Sequence, residues 1–298
     1  MHADEIDIDA LLVTRLLAAQ FPQWAHLPVE PVPSAGTDNA LFRLGDDLAV
    51  RLPRVSWTTG QVEKDQQWLP RLAPHLPLAV PVPLGCGHPG DGYPWTWGVY
   101  RWLDGVEASI DRLADPRAAA VELARFLVAL QGIDATGGPA SAWRGGPLVK
   151  RDQETRAAIA ALDGEVDIDA VTAAWDEALA APAWSGPPVW VHGDLAPGNL
   201  LVVGGRLSAV IDFAAVSVGD PACDLLVAWN LFTGDSRAAF RAELGVDDDT
   251  WARGRGWALS VALIQLPYYL HTNPALVANA RHVISEVTRP ISGRGPCS

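Results

Sequence analysis

Three polar residues near the middle of the chain, Asp194, Asn199 and Asp212, have the types and the spacing that phosphoryl transfer requires. Asp194 follows the short apolar stretch Val189–Val191, and Asn199 comes five residues after Asp194. Asp212 ends a predicted hairpin, which would fold its carboxylate back towards Asn199. Phosphoryl transfer needs a carboxylate that orients and deprotonates the attacking hydroxyl, and a magnesium ion that prefers oxygen ligands. These residues could supply both.

The residues around them form a specific motif: His192, Gly193, Asp194 and Asn199, followed by Ile211, Asp212 and Phe213. This motif resembles that of the aminoglycoside phosphotransferase family, a branch of the protein-kinase-like fold, and the resemblance extends over about residues 25–275. It implies that Asp194 is the catalytic base and that Asn199 and Asp212 bind Mg²⁺. It also implies that His192 braces the loop rather than reacts.

Each of these residues also has a purely structural interpretation when it is taken alone. Asp194 could cap a loop, and Asn199 could be a helix N-cap. The combined spacing favours the catalytic interpretation. Asp220 and Asp224 lie in a later run around Pro221, where an Asp before Pro suits the start of a helix, and we expect both to be structural.

The candidate phosphate-binding residue is Arg51, which stands where kinases of this fold carry a lysine. Arginine is permanently charged and can bind phosphate oxygens through two donors, so the role of the charge can survive. Glu63, which falls on a predicted helix, is the expected partner of Arg51. Arg54, close to Arg51 in the sequence, is a competing phosphate ligand. A strand-end charge without function is the alternative for Arg51.

Two further segments are candidates for nucleotide binding. A loop with a single glycine could cover the phosphates of ATP, and its candidate residues are Ser34, Gly36 and Thr37. An ordinary hairpin turn fits that loop almost as well. By the resemblance, a hinge would bind adenine through the carbonyl of Arg101 and the amide of Leu103, whereas a plain strand leading to a turn is the alternative.

The elements that must position these residues form two groups along the chain. Up to residue 102 the patterns predict short, mostly antiparallel strands and one inserted helix over residues 60–73. Beyond it they predict helices, interrupted by the hairpin that leads to Asp212. We therefore predict an α+β protein of two lobes, and the resemblance implies that it has the bilobal protein-kinase-like fold. Residues 1–102 would form a small β-rich nucleotide-binding lobe, and residues 103–298 a larger α-rich lobe for catalysis and substrate binding.

The composition excludes several classes of protein. The net charge of −13, without a stripe of Lys or Arg, argues against nucleic acid as a partner. The sequence has no apolar run long enough to span a membrane, and its acidic first residues do not fit a secretory signal. Three cysteines without a C-x-x-C pair fit a reducing cytoplasm.

The identity of the acceptor stays open at this stage. Acidic residues after Asn230 could hold the ammonium groups of a cationic substrate, or could equally be a solvated helix end. They are Asp235, Glu243, Asp247, Asp248 and Asp249. Aromatic residues in the same region could stack on a sugar or a macrocycle, although most aromatic side chains on helices are core. They are Trp229, Trp251, Trp257, Tyr268 and Tyr269.

The resemblance implies transfer of the γ-phosphate of ATP, with Mg²⁺, to a hydroxyl of an aminoglycoside or a similar antibiotic. GTP stays open as the donor. The alternatives are the same chemistry on a macrolide, a nucleoside antibiotic, a sugar or an amino alcohol, and an inactive nucleotide-binding protein of the same fold. The departure at Arg51 is what leaves the inactive protein open, and the oligomeric state is not predicted.

Overall fold

The structure, a computed structural model, describes residues 6–33, 38–141 and 144–289 of the chain. These residues form two compact units. The first contains the described residues up to Glu107, together with Leu200–Val203 and Ser208–Ala214, and the second contains the other described residues. The division of function at residues 102 and 103 stays a prediction.

The first unit is built on a five-stranded sheet with the strand order β1-β2-β3-β5-β4 and antiparallel neighbours. Its strands are β1 (Val29–Pro31), β2 (Asn39–Leu44), β3 (Leu48–Pro53), β4 (Pro83–Gly87) and β5 (Trp97–Arg101). Two helices accompany the sheet, α1 (Ala10–Gln20) and α2 (Gln61–Leu72). The strands and the inserted helix predicted for this part of the chain are confirmed.

The alternation of side chains along β3 decides which face of the sheet Arg51 occupies. Val50 and Leu52 are fully buried in a core that also contains Leu16 and Leu17 of α1. Because successive side chains of a strand point to opposite faces, Arg51 points away from that core. On the other face it contacts polar side chains of α2.

A second, smaller sheet has the strand order β6-β8-β9. Its strands are β6 (Val106–Glu107), β8 (Leu200–Val203) and β9 (Arg206–Val210). Within the first unit, Ala79 forms a parallel bridge with Ala209, and the amide of Val210 donates to the carbonyl of Ala79 at 2.9 Å. This bridge joins the end of β9 to the first unit, so Asp212 belongs to the same unit as Arg51.

The second unit is helical, apart from a two-stranded antiparallel ribbon of β7 (Val189–Val191) and β10 (Ser217–Gly219). Its first helices are α3 (Pro116–Gln131), α4 (Asp152–Ala161) and α5 (Ile168–Ala180). They confirm the prediction that the chain beyond residue 102 forms helices. The short strands β6 and β10 were not predicted, because neither contains an apolar run like that of β7.

The helices predicted beyond residue 102 continue after Pro221 in several pieces. A 3-10 turn, Pro221–Leu226, precedes α6 (Val227–Asn230), α7 (Gly234–Leu244), α8 (Asp248–Tyr269) and α9 (Pro274–Thr288). Gly245, with a left-handed backbone, ends α7, and the side chain of Asp247 caps α8. Among the described residues, no helix combines the length and the apolar character needed to cross a membrane.

Candidate active site

The loop that carries Asp194 begins directly after β7 and is tightly constrained. His192 is fully buried, and its Nδ1 accepts a hydrogen bond of 3.2 Å from the amide of Asp194. Gly193 has a φ of +82°, and a Cβ atom there would lie 2.7 Å from the carbonyl oxygen of Ala215. No residue with a side chain fits this position, since both the backbone and the available space exclude it. The turn directs Asp194 outwards, and its side chain is 38% exposed.

The buried carboxylate of Asp224 fixes this loop from behind. Its two oxygens accept hydrogen bonds of 2.7 Å from the amides of His192 and Gly193. Burial raises the pKa of Asp224, while the nearby His192 and the two amide donors oppose that rise. Asp224 therefore positions the loop and does not face an acceptor, in agreement with the structural role predicted for it.

Asn199 is held against Asp194 within the same loop. Its Nδ2 donates to the carbonyl oxygen of Asp194 at 2.7 Å and to the Oδ2 of Asp194 at 3.2 Å. Because the amide nitrogen serves as the donor, the amide oxygen is the atom that can bind a cation. The structure thus brings together Asp194 and Asn199, two of the three polar residues predicted to carry the chemistry.

Arg144 is a site residue that the sequence analysis missed. Its Nη1 lies 2.7 Å from the Oδ1 of Asp194, and its own side chain is only 4% exposed. Arg144 stands fifty residues before Asp194, in a Gly- and Pro-rich stretch, and no spacing rule joins the two. Only the tertiary fold brings this cation to the candidate base.

Arg51 is surrounded by three polar partners in the first unit. It donates to Asp65 at 3.3 Å, to Gln61 at 3.0 Å and to Asp212 at 3.4 Å. The ion-pair partner on α2 is therefore Asp65, rather than the predicted Glu63. Gln61 and Asp65 are four residues apart and share one face of the helix, whereas Glu63 is exposed on another face. Any role of Glu63 in nucleotide binding stays a prediction.

Asp65 is an acid buried almost completely, with 2% exposure. It also accepts a hydrogen bond of 3.0 Å from the hydroxyl of Tyr100. Burial raises the pKa of Asp65 to about 6, against the opposing effect of Arg51. The sequence held a signal for this residue, because Asp65 continues the apolar stripe of Val62 and Leu69 on α2.

Asp212 stands out by its backbone conformation. Its φ is +62°, in the left-handed region that residues with side chains rarely adopt. Its Oδ1 accepts from the amide of Ala214 at 3.4 Å, in addition to the contact with Arg51. Lys64 donates to the carbonyl of Ala214 at 2.9 Å and so holds the following turn. Strain of this kind at a half-exposed carboxylate is typical of functional residues.

The chemistry of the donors at Asn199 and Asp212 fits magnesium. Among the residues that the structure describes, no group of three His, Cys, Asp or Glu side chains could hold a metal ion by itself. Magnesium does not need such a group, because it usually takes one or two carboxylate or amide oxygens and completes its shell with water and phosphate. An amide oxygen and a carboxylate are therefore each a suitable magnesium ligand, and the binding of one ion by both residues stays a prediction.

The other predicted nucleotide contacts remain predictions. Ser34, Gly36 and Thr37 lie outside the described residues. At the predicted hinge, the amide of Arg101 donates to the carbonyl of Val82 at 2.9 Å. The amide of the residue that follows it donates to the carbonyl of Asp47 at 2.7 Å. These bonds hold the segment in place next to Leu103, whose amide is the predicted adenine donor.

Most of the acidic cluster after Asn230 is used within the protein. Asp247 caps α8, Asp248 pairs with Arg241, and Glu243 pairs with Arg125 at 2.8 Å. The aromatic residues of the same region differ in their exposure. Trp229 and Trp257 are buried in the core, Trp251 stacks on Trp229, and Tyr268 is exposed.

Comparison with known proteins identifies relatives of the whole chain. The model of a family described as the phosphotransferase enzyme family matches residues 29–257. A search of curated proteins found no match to the sequence.

Three solved structures illustrate the likeness in fold. The GDP complex of wild-type aminoglycoside 2'-phosphotransferase-IIIa covers 94% of this chain and 99% of its own, with 20% identity and a TM-score of 0.73. The gentamicin–APH(2")-IIa complex covers 95% and 99%, with 17% identity and a TM-score of 0.65. The apoenzyme of macrolide 2'-phosphotransferase MphH from Brachybacterium faecium covers 95% and 98%, with 21% identity and a TM-score of 0.62. The predicted α+β, protein-kinase-like fold is confirmed.

The contacts of Asp224 predict a loss of stability in Asp224→Asn. One of the two loop amides would face an NH₂ group instead of an acceptor, so the variant should lose about 1.5–3 kcal/mol of unfolding free energy. Urea denaturation measures this loss. The matched control is Asp167→Asn at the exposed N-cap of α5, which should change stability by less than about 0.5 kcal/mol. Equal stability of the two variants would contradict the role assigned to Asp224.

The raised pKa of Asp65 predicts a pH-dependent difference between the wild type and Asp65→Asn. The folded chain holds the Asp65 proton up to about pH 6, against an ordinary value of 3.8. The wild type should therefore lose stability relative to the variant as pH rises from about 4 to about 6, by up to about 3 kcal/mol. Urea denaturation of both proteins across this range measures the difference. A difference that is independent of pH would contradict the assignment.

Proposed function

Because the chain belongs to the phosphotransferase enzyme family, we propose that it transfers the γ-phosphate of ATP to a hydroxyl of an aminoglycoside or a similar antibiotic. The observation that carries this proposal is the setting of Asp194, a partly exposed carboxylate on a loop that is fixed on its buried side. A base that is immobile yet accessible is what an incoming hydroxyl needs.

Asp194 acts on the acceptor in this proposal. Its carboxylate accepts a hydrogen bond from the attacking hydroxyl, orients it towards the γ-phosphorus atom and takes its proton as the new oxygen–phosphorus bond forms. The bond between the γ-phosphorus and the bridging oxygen breaks in the same step, and the nucleoside diphosphate leaves. Phosphoryl transfer passes through a loose transition state, so orientation contributes more than basicity. The hydrogen bond from Asn199 and the ion pair with Arg144 suit this task, because they fix the carboxylate.

The nucleotide is held by residues of opposite charge. Asn199 and Asp212 would hold Mg²⁺, which would supply positive charge to neutralise that of the phosphates. Arg51 would bind phosphate oxygens through its planar donors, and Asp65 and Gln61 keep its guanidinium in place. GTP stays open as the donor, since the predicted hinge contacts are backbone groups of Arg101 and Leu103.

The acceptor class is the least determined part of the proposal. Similar solved structures include complexes with gentamicin and with kanamycin, and another similar protein is named as a macrolide phosphotransferase. The acidic cluster does not single out a cationic acceptor, because Asp247, Asp248 and Glu243 are engaged in a cap and in ion pairs. A macrolide, a nucleoside antibiotic, a sugar or an amino alcohol is therefore the second candidate.

The proposal predicts that Asp194→Ala abolishes phosphate transfer without abolishing nucleotide binding. The variant loses the group that orients the hydroxyl, and the loss should be at least about 100-fold in kcat, the lower range for a positioned base. The measurement is a screen of aminoglycosides, macrolides, nucleoside antibiotics and small sugars, read by the mass gain of one phosphoryl group.

Two outcomes of that screen would contradict the proposal. The first is a wild-type protein that neither phosphorylates any compound nor binds Mg-nucleotide in calorimetry. This outcome would refute the proposal that the protein is a kinase. The second is an Asp194→Ala variant that retains wild-type turnover, which would show that another group serves as the base.

The placement of Arg51 predicts a specific loss in nucleotide handling. Arg51→Ala removes the charged donors, so kcat/KM for the nucleotide should fall about 10- to 100-fold, as expected for a charge-assisted hydrogen bond of about 1.5–3 kcal/mol. Arg206→Ala is the control, because it removes an exposed arginine whose ion pair with Glu122 lies on the surface. An unchanged kcat/KM in Arg51→Ala would assign the phosphates to Arg54 or to another residue.

A further inference from the structure

We propose that Arg144 is a positioning residue for the catalytic base, which holds the carboxylate of Asp194 in the orientation that the acceptor hydroxyl requires. This inference rests on the proposed function, because it assigns Arg144 a role through Asp194. The two side chains meet at 2.7 Å between Nη1 and Oδ1. Arg144 would touch neither the nucleotide nor the acceptor.

The burial of the two partners is unequal, and this inequality indicates which residue serves the other. The side chain of Arg144 is 4% exposed, whereas that of Asp194 is 38% exposed. A fully buried arginine is held by its surroundings, whereas a half-exposed aspartate would otherwise rotate in solvent. The ion pair with a buried arginine therefore restricts the motion of the Asp194 carboxylate.

Both oxygens of Asp194 are engaged on the protein side. Arg144 donates to Oδ1, and Asn199 donates to Oδ2 at 3.2 Å. Donors on both oxygens fix the rotation of the carboxylate about its Cβ–Cγ bond. A carboxylate has about four lone-pair positions, so acceptor sites remain for a hydroxyl after these two bonds.

The backbone of Arg144 is held as firmly as its side chain. Its carbonyl accepts hydrogen bonds from the hydroxyls of Ser141 and Ser217, the latter at 3.3 Å. The next residue, Gly145, accepts a bond of 2.7 Å from the amide of Asp220. A Cβ atom on Gly219 would lie 2.1 Å from the carbonyl oxygen of Gly145, so this close approach requires glycine.

The same turn fixes both members of the ion pair. At its start, Asp220 holds the segment of Arg144 through its amide, and its carboxylate is paired with Arg253 at 2.9 Å. Four residues later, Asp224 holds the loop of Asp194 through the amides of His192 and Gly193. Such joint anchoring gives the distance between Arg144 and Asp194 little freedom.

A purely structural ion pair is the competing explanation, and Arg151 provides the matched comparison. Arg151 is also a buried arginine of the second unit, 5% exposed. Its partners include Glu154 at 3.1 Å and Ser260 at 3.2 Å, which lie outside the loop of Asp194. Conservative variants of the two arginines should thus disturb the fold similarly but differ in catalysis.

The experiment compares Arg144→Lys and Arg144→Gln with Arg151→Lys on an acceptor that the wild type phosphorylates. Arg144→Gln should lower kcat about 10- to 100-fold, a part of what a positioned base contributes, and should leave the KM for nucleotide and acceptor within about twofold. Arg144→Lys should recover part of the loss, because it keeps a charged donor. Arg151→Lys should keep the wild-type kcat.

A double-mutant cycle with Asp194 tests whether Arg144 acts through the base. When Asp194→Ala is already present, adding Arg144→Gln should lower the residual kcat no further. Independent losses that multiply would overturn the proposal. So would a wild-type kcat in Arg144→Gln, or equal losses of kcat in Arg144→Lys and Arg151→Lys.

A crystal structure of Arg144→Gln decides the question even without an acceptor. We expect the side chain of Asp194 to adopt a new or a mixed orientation, and a single unchanged orientation would overturn the proposal. The two failures are distinguishable. A wild type without turnover on any compound refutes the proposed function, whereas an active wild type with equally active Arg144 variants refutes only the role of Arg144.

Discussion

The buried carboxylate of Asp224 is the constraint on which the arrangement of the second unit depends. A charge without solvent must find donors in the protein, and this one finds the amides of His192 and Gly193. Those bonds require the backbone to turn sharply after β7. A turn of this shape requires glycine at position 193. The direction of Asp194 therefore follows from the hydrogen bonds that satisfy Asp224, a buried acid that no substrate would reach.

In the first unit, a positively charged group, the guanidinium of Arg51, is held by polar partners in a similar way. Arg51 is directed by strand alternation to a face where Asp65, Gln61 and Asp212 receive it. The arrangement is costly for Asp65, because burial raises the pKa of its carboxyl to about 6. Perturbed acids of this kind are more typical of functional sites than of surfaces that serve stability alone. This agrees with a guanidinium kept in place for a ligand.

The sequence predicted what depends on local order and failed where tertiary contacts decide. Most of the strands, the helices α2 to α5 and the catalytic motif follow from periodicity and spacing, and the fold is confirmed. The expectation that Glu63 pairs with Arg51 was an error of helical phase, since Asp65 continues the apolar stripe of α2 and Glu63 does not. Arg144 could not be predicted, because nothing near it in the sequence refers to Asp194, and only the packing of its loop against β10 brings them together.

The ion pair between Arg144 and Asp194 also bears on what the net charge of −13 means for an acceptor. An acceptor that approaches Asp194 meets a carboxylate whose charge is already balanced by a buried arginine at 2.7 Å. Attraction of a cationic compound therefore cannot come from the base itself. Several acids that could supply it elsewhere, such as Asp248 and Glu243, already face arginines. Ion pairs within the fold cancel in the net charge of −13, which therefore does not indicate where a cationic acceptor would bind. Recognition of the acceptor has to rest on particular side chains rather than on the overall field.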